Sequence, residues 1–104
     1  MPEFEVEWQS KALVQLEDIE DYIAFRSEIA ARRVVIKILK ATAKLQSNPY
    51  IGQVEQFLEG RQFEYRYWVV GNNKLIYRIE NKIVYIIAVF DIRRNPVKMG
   101  HDVK

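Results

Sequence analysis

The chain has 104 residues, of which 49% are hydrophobic and 29% charged, and it contains no cysteine. This composition indicates a globular protein with one hydrophobic core and excludes disordered, fibrous and disulfide-stabilised classes. The net charge of +2 is unevenly spread: residues 1–60 carry seven Lys and Arg against ten Asp and Glu, and residues 61–104 carry nine against four. Unless this is scatter in a short chain, the basic C-terminal part predicts an anionic partner, either nucleic acid or an acidic protein segment.

The N-terminal half predicts one strand and two helices. Apolar residues alternate with glutamates over Phe4–Trp8, which is the pattern of a short strand with one polar face. Apolar residues then recur at helical spacing after Ser10 and again after Ser27, and both serines are suited to cap a helix N-terminus. Pro49 ends the second helix, because proline disfavours helical geometry in the residue before it.

The stretch from residue 62 to residue 90 predicts three meandering strands. Tight turns at Gly71–Asn73 and Asn81–Lys82 separate them, since Gly and Asn tolerate the positive φ that such turns need. The last strand, Ile83–Phe90, is apolar throughout. A strand without a polar face is expected to have neighbours on both sides, and the N-terminal strand is the predicted second neighbour.

The predicted fold class is α+β with the order β-α-α-β-β-β. A two-helix hairpin would pack on one face of a four-stranded, mainly antiparallel sheet. Residues 1–104 are expected to form a single domain, with residues 97–104 as a flexible tail.

The sheet face opposite the helices is predicted to be an uncovered binding surface that carries basic and aromatic side chains. Its side chains are expected to be Arg66, Trp68, Lys74, Ile76 and Arg78, or the residues that alternate with them, because the sequence leaves open which face the helices cover. For Arg66 and Lys74 the alternative is that they are ordinary outward-facing sheet residues. Tyr77 is interpreted as core packing, with stacking on a base as the alternative. The loop acids, Glu55 and Glu59, are interpreted as simple loop polarity.

Several kinds of site are not indicated by the sequence. There is no glycine-rich phosphate loop and no metal-ligand spacing, so neither a cofactor nor a metal is expected. No apolar run approaches the ~20 residues of a membrane helix, and the acidic N-terminus does not resemble a signal peptide, so a cytoplasmic protein without membrane contact is expected. The single histidine, His101, lies near the end of the chain and is interpreted as a tail residue.

Arg93 and Arg94 directly follow the most apolar strand. Two adjacent cations at this point are suited to clamp a phosphate or an acidic protein target. The alternatives are that they solubilise the strand end or pair with the acidic first helix.

Four segments, taken in order, resemble one family. They are the first helix over Ala12–Ile23, the helix exit over Leu45–Gly52, the hairpin over Val69–Ile79 and the ending over Ala88–Pro96. No segment is specific alone, but their order in so short a chain resembles the RelE/ParE superfamily of type II toxin–antitoxin toxins, often labelled plasmid stabilisation proteins. The resemblance covers roughly Glu5 to Pro96.

The resemblance implies a growth-inhibiting bacterial toxin that a cognate antitoxin neutralises, assembled as a toxin–antitoxin hetero-oligomer or as a homodimer. ParE-like members bind DNA gyrase, and RelE-like members cleave mRNA on the ribosome. The first helix and the helix exit look more like the ParE side. A non-toxic protein-binding module of the same fold is a further alternative.

The two branches need different chemistry. RNA cleavage by the 2′-hydroxyl needs a base, an acid and cations that stabilise the phosphate. Lys74, Arg93 and Arg94 would supply the cations, but no tyrosine follows Tyr85, and His101 is a weak candidate for proton transfer. The sequence therefore favours a target-binding toxin and leaves enzymatic activity open. The candidate target-binding residues are Arg66, Trp68, Lys74, Arg78, Arg93 and Arg94.

Overall fold

A computed structural model describes residues 4–58, 60 and 62–92 of the chain. The elements are β1 (Glu5–Trp8), α1 (Ser10–Ala24), α2 (Glu28–Ser47), β2 (Gln53–Val54), β3 (Arg66–Val70), β4 (Asn73–Glu80) and β5 (Ile83–Asp91). None of the described helices is long and apolar enough to cross a bilayer.

The strands form one mixed sheet in the order β1-β5-β4-β3-β2. β1 runs parallel to β5, and the other neighbours pair antiparallel. The prediction that the N-terminal strand flanks the apolar strand is confirmed. The predicted number of strands was one too low, because β2 has only two residues and so shows no alternation to recognise.

Both helices pack on the same face of the sheet, as the α+β prediction required. α1 contacts β5, and α2 contacts β1 and β3. Side chains from both layers form the main core, which includes Ala12, Ile38, Leu45, Leu75, Tyr77, Val84 and Ile86. Removing each large apolar side chain from water stabilises the fold by roughly 1.5–3 kcal/mol.

The two helices begin differently. Ser27 caps α2, because its hydroxyl oxygen accepts a hydrogen bond from the Ala30 amide at 3.1 Å, and that prediction is confirmed. The prediction for Ser10 was wrong: Gln9 is the N-cap of α1, and its side chain makes no capping bond. The Gln9 amide donates to the Ile86 carbonyl at 3.0 Å, so its pairing with β5 fixes where the strand ends and the helix begins.

β5 is apolar on both faces because each face packs in an apolar cluster, and an irregularity in the strand changes which of its residues belong to which cluster. Ile76 pairs with Ala88 while Tyr77 pairs with Ile86, so Ile87 has no partner on β4. The extra residue is a β-bulge, which changes the face to which later side chains point. Val84 and Ile86 therefore face the helices, whereas Ala88 lies in a second cluster on the other face.

The sheet face opposite the helices is partly covered, in contrast to the prediction. Its second cluster consists of Leu58, Tyr65, Ile76, Ala88 and Phe90, all buried. Leu58 and Tyr65 come from the connection between β2 and β3, which therefore packs against this face. The alternating pattern of the strands cannot reveal this, because the covering residues lie outside them.

Tyr77 joins the centre of the sheet to the exit of α2. Its ring is fully buried, its hydroxyl donates to the Pro49 carbonyl at 2.7 Å, and the Gly52 amide donates to the same oxygen at 2.9 Å. A Cβ atom on Gly52 would collide with the Tyr77 hydroxyl and the Tyr67 carbonyl, so the contact requires glycine. The interpretation of Tyr77 as a core residue is confirmed.

Replacing Tyr77 with phenylalanine is expected to lower the free energy of unfolding by about 2–4 kcal/mol, because it leaves the Pro49 carbonyl and the Gly52 amide buried without this partner. Tyr67→Phe is the matched control: the Tyr67 hydroxyl donates to Gln53 at 2.8 Å in an exposed bond, so the loss should stay below about 1 kcal/mol. Urea denaturation measures both. Equal losses would contradict the role given to the Tyr77 hydroxyl.

Alkaline pH should weaken the same contact. Burial raises the pKa of the Tyr77 hydroxyl, although the bond from Gly52 and the charge of Arg66 oppose this shift. Above pH ~10 the unfolded chain therefore loses a proton that the folded chain retains, so stability falls as pH rises towards the folded-state pKa. Urea denaturation at several pH values between 8 and 11 gives the free energy of unfolding as a function of pH. This free energy should fall less steeply with pH in Tyr77→Phe than in the unaltered protein. An equally steep fall in both would contradict a buried, protonated Tyr77 hydroxyl.

Candidate target-binding surface

The structure separates the candidate residues that were predicted to share one surface. Lys74 and Arg78 lie on β4 and point away from the helices, whereas Arg66 and Trp68 lie on the helix side. The other candidates, Arg93, Arg94 and His101, lie outside the described residues, as does the predicted tail of residues 97–104.

The register of the β3–β4 hairpin determines this separation. Arg66 pairs with Tyr77 and Trp68 pairs with Leu75, and cross-strand partners share a face. Since Tyr77 and Leu75 belong to the main core, Trp68 packs against that core and is not a free anchor on the opposite face. The assignment of Arg66 and Trp68 to the opposite face was therefore wrong.

The Arg66 guanidinium is engaged within the protein. Nη1 donates to the Gly52 carbonyl at 2.8 Å, and Nη2 contacts a Glu64 carboxylate oxygen at 3.2 Å. The group also lies 5.2 Å from the centre of the Tyr50 ring. Arg66 thus stabilises the same segment that Tyr77 holds, and its charge is not directed at a partner.

Lys74 forms an ion pair with a buried carboxylate. Its Nζ lies 2.9 Å from Glu55 Oε2, and the exposed fractions of the two side chains are 17% and 3%. The ammonium also lies 4.4 Å from the centre of the Tyr67 ring. The Glu55 amide donates to the Tyr65 carbonyl at 2.8 Å, which fixes the acid beneath the sheet. The interpretation of Glu55 as loop polarity was wrong, because sequence distance hid this contact.

Arg78 lies between two aromatic rings. Its guanidinium carbon is 4.1 Å from the centre of the Phe63 ring and 4.5 Å from that of Tyr85. Nη1 also pairs with the carboxylate of Glu80. A planar guanidinium favours this geometry through cation–π attraction, so the conformation of Arg78 is fixed before any partner binds.

The described strands give this face more carboxylates than cations. Val6 and Trp8 pack against the main core, so the alternating Glu5 and Glu7 point to the face opposite the helices. Together with Glu80 and the buried Glu55, they outnumber Lys74 and Arg78. The expectation of a basic surface is therefore not met by the described residues of this face.

The helix side carries features that the sequence analysis missed. The helix turn, which here means the end of α1, the connecting residues and the start of α2, exposes Tyr22, Phe25 and Ile29, with exposed fractions of 78%, 92% and 63%. Beside it, a groove of about 700 Å³ lies between the helices and the end of the β3–β4 hairpin, and Gln15, Asp18 and Lys37 are among its lining residues. The sequence contained a signal for this exposure: Phe25 is a large apolar residue that does not belong to the apolar positions recurring at helical spacing in the first helix.

Glu55→Gln should lower the free energy of unfolding by about 3 kcal/mol, because it leaves the Lys74 ammonium without its charged partner in a mostly buried position. Glu64→Gln is the matched control, since it breaks an exposed pair with Arg66 and should cost less than about 1 kcal/mol. Urea denaturation of both variants provides the comparison. A loss for Glu55→Gln no larger than that for Glu64→Gln would contradict a structural Lys74–Glu55 pair.

Solved structures of toxins share this fold. The chain resembles the chromosomal ParDE system of P. aeruginosa with 18% identity and a TM-score of 0.70, over 86% of this chain and 96% of that one. It resembles the RelBE2 toxin–antitoxin complex of Mycobacterium tuberculosis with 19% identity and a TM-score of 0.62, over 88% and 99%. A double mutant of E. coli RelE in the free state gives 14% identity and a TM-score of 0.60, over 95% and 93%. At such identities the likeness establishes the fold alone.

The sequence itself identifies the family. No curated protein matches the chain. The profile of the ParE toxin of type II toxin–antitoxin systems, from parDE, matches residues 6–96. This match spans most of the chain, including both described helices and, apart from Glu5 at the start of β1, the described strands. The chain therefore belongs to the ParE toxin family of type II toxin–antitoxin systems.

Proposed function

We propose that this ParE-type toxin inhibits growth by binding DNA gyrase, that it leaves RNA intact, and that a cognate antitoxin neutralises it. Family membership supports the toxin class. The gyrase target follows the family resemblance. The pairing of Lys74 and Arg78 with groups inside the protein supports this target over RNA cleavage.

The observation that carries the proposal is the internal pairing of these cations. Lys74 is held by Glu55, and Arg78 is held between two rings and by Glu80. A nuclease needs cations free to stabilise the extra charge of a pentacoordinate phosphate. Redirecting Lys74 to RNA would first require breaking its 2.9 Å ion pair with the largely buried Glu55 carboxylate. The arrangement therefore supports a target-binding toxin over the RelE-like mRNA endonuclease.

The antitoxin part of the proposal rests on the exposed helix turn. Tyr22, Phe25 and Ile29 leave three large apolar side chains in water at one end of the molecule. Exposed apolar groups of this size favour a protein partner, and disordered segments that fold on binding are suited to cover them. Two of the similar structures are a ParDE system and a RelBE2 toxin–antitoxin complex, which supports the same kind of partner here.

Inducing the chain alone in a bacterial host should stop growth, and the purified protein should inhibit gyrase supercoiling without creating new transcript ends in a translation reaction. Lys74→Met should leave transcripts unchanged, because Lys74 is held by Glu55 in the folded protein. New transcript ends that disappear in Lys74→Met would instead favour the mRNA endonuclease. Growth that is unaffected by induction would favour the non-toxic binding module.

Neutralisation is tested by co-expression with a small open reading frame adjacent to the gene. Growth should recover, and the two proteins should purify together. Phe25→Ser should reduce co-purification at least tenfold, because it removes the most exposed apolar ring of the helix turn. Tyr50→Ser is the matched control, since Tyr50 is exposed and its ring lies beside Phe4 and Arg66. Equal retention of the partner by both variants would contradict the proposed contact.

A further inference from the structure

Strand β1 leaves one edge of the sheet open beside Val6 and Trp8, whereas just before the strand the Phe4 amide donates to the Gln46 carbonyl at the end of α2, at 3.3 Å. β1 is the first strand in the order β1-β5-β4-β3-β2, so it has a described neighbour on one side only. The amides of Glu5 and Gln9 donate to carbonyls on the β5 side, at 3.1 and 3.0 Å. Backbone groups alternate in direction along a strand. Val6 and Trp8 therefore direct their N–H and C=O groups away from β5, towards the open edge.

The two faces of this edge have opposite chemical character. Glu5 and Glu7 are exposed on one face, and Val6 and Trp8 are half-buried against the main core on the other. The Glu7 carboxylate accepts a weak bond from the Gln9 side chain at 3.4 Å. Within the described part of the chain, neither glutamate forms an ion pair. The edge thus combines unpaired backbone groups, two carboxylates and a partly covered apolar surface.

We propose that this edge binds an extended cationic peptide segment, which adds to the sheet as a further strand beside β1. In such a segment lysine or arginine would alternate with apolar residues. Because side chains alternate between faces, the cations would lie opposite Glu5 and Glu7, while the apolar residues would cover Val6 and Trp8. Backbone bonds would supply affinity, and the charge pattern would supply selectivity.

Charge decides between the occupants of this edge. A second copy of the chain pairing through β1 would bring glutamates against glutamates, and like charges opposite one another destabilise a strand pair. Nucleic acid would bring phosphates towards the same carboxylates. A cationic strand satisfies both the backbone and the charges. The edge is separate from the β4 cations, so this inference does not depend on the target proposed above.

The test uses the full chain and two synthetic probes. One is an end-blocked seven-residue peptide in which lysine and valine alternate, and the other has glutamate in place of lysine. Titration into ¹⁵N-labelled protein should shift the amide signals of Val6 and Trp8. The lysine peptide should bind at least tenfold more tightly, and this preference should shrink with added salt. Equal affinities, or shifts confined to other residues, would overturn the proposal.

Paired variants separate this site from general electrostatic attraction. Glu5→Gln with Glu7→Gln should weaken binding of the lysine peptide at least fivefold. Glu17→Gln with Asp21→Asn removes the same charge from exposed positions on α1 and should change the dissociation constant less than twofold. Equal weakening by both pairs would overturn the proposal.

A third probe tests strand addition itself. Two methylated versions of the lysine peptide are made, each with methyl groups on the backbone nitrogens of one edge of the extended peptide. Methylation keeps the charge but removes the hydrogen-bond donors on that edge. One of the two methylated peptides should lose binding at least tenfold, and the other should retain it. If both bind like the parent peptide, the contact is purely electrostatic and the strand-addition proposal is wrong.

Discussion

The buried hydroxyl of Tyr77 positions the segment on which the rest of the sheet face depends. It ties Pro49 and Gly52, just beyond the end of α2, to the centre of β4. Gly52 immediately precedes β2, and Glu55 follows β2 directly. The hydrogen bonds of the Tyr77 side chain therefore fix the position at which Glu55 enters the interior. The position of Glu55 in turn allows it to form the ion pair with Lys74. The strand pairing of β2 with β3 continues the same constraint.

This constraint has a consequence for what the surface can do. A cation that is already paired with a buried carboxylate is a structural element, and using it on an external ligand would break that ion pair. The same holds in part for Arg78, because the rings of Phe63 and Tyr85 and the carboxylate of Glu80 fix its position. The described strands thus present a sheet face of low positive charge, and the exposed apolar groups lie at the helix turn. Contacts with proteins suit this distribution better than contacts with phosphate.

The sequence predicted the fold well because its main signals are local. Alternation, helical spacing and turn residues gave the element order, and the apolar run of Ile83–Phe90 correctly required β1 as a neighbour. The faces of individual side chains were harder to assign. Arg66 and Trp68 were placed on the wrong side because the hairpin register, which no local pattern encodes, determines the face. The bulge at Ile87 likewise shifts a strand whose uniform apolarity hides any change of direction.

The sequence predicted which basic residues lie at the candidate site, but it did not predict that these residues form ion pairs within the protein. Lys74 and Arg78 do lie together on one face, and each has an acidic partner that was not predicted. Glu80 is two residues from Arg78, a spacing that places both on one face of a strand, and this signal was available. Glu55 is separated from Lys74 by a turn and a whole strand, so only the tertiary fold brings the pair together. The long-range contact was therefore beyond reach.

A double-mutant cycle between Tyr77→Phe and Lys74→Met tests the central claim most directly, because the two side chains lie on opposite faces of β4 and do not contact each other. The account predicts that the losses in unfolding free energy are not additive, with a coupling of about 1 kcal/mol, since loosening Gly52 already displaces the partner of Lys74. Additive losses, within about 0.3 kcal/mol, would contradict the claim that Tyr77 positions the acid that neutralises Lys74.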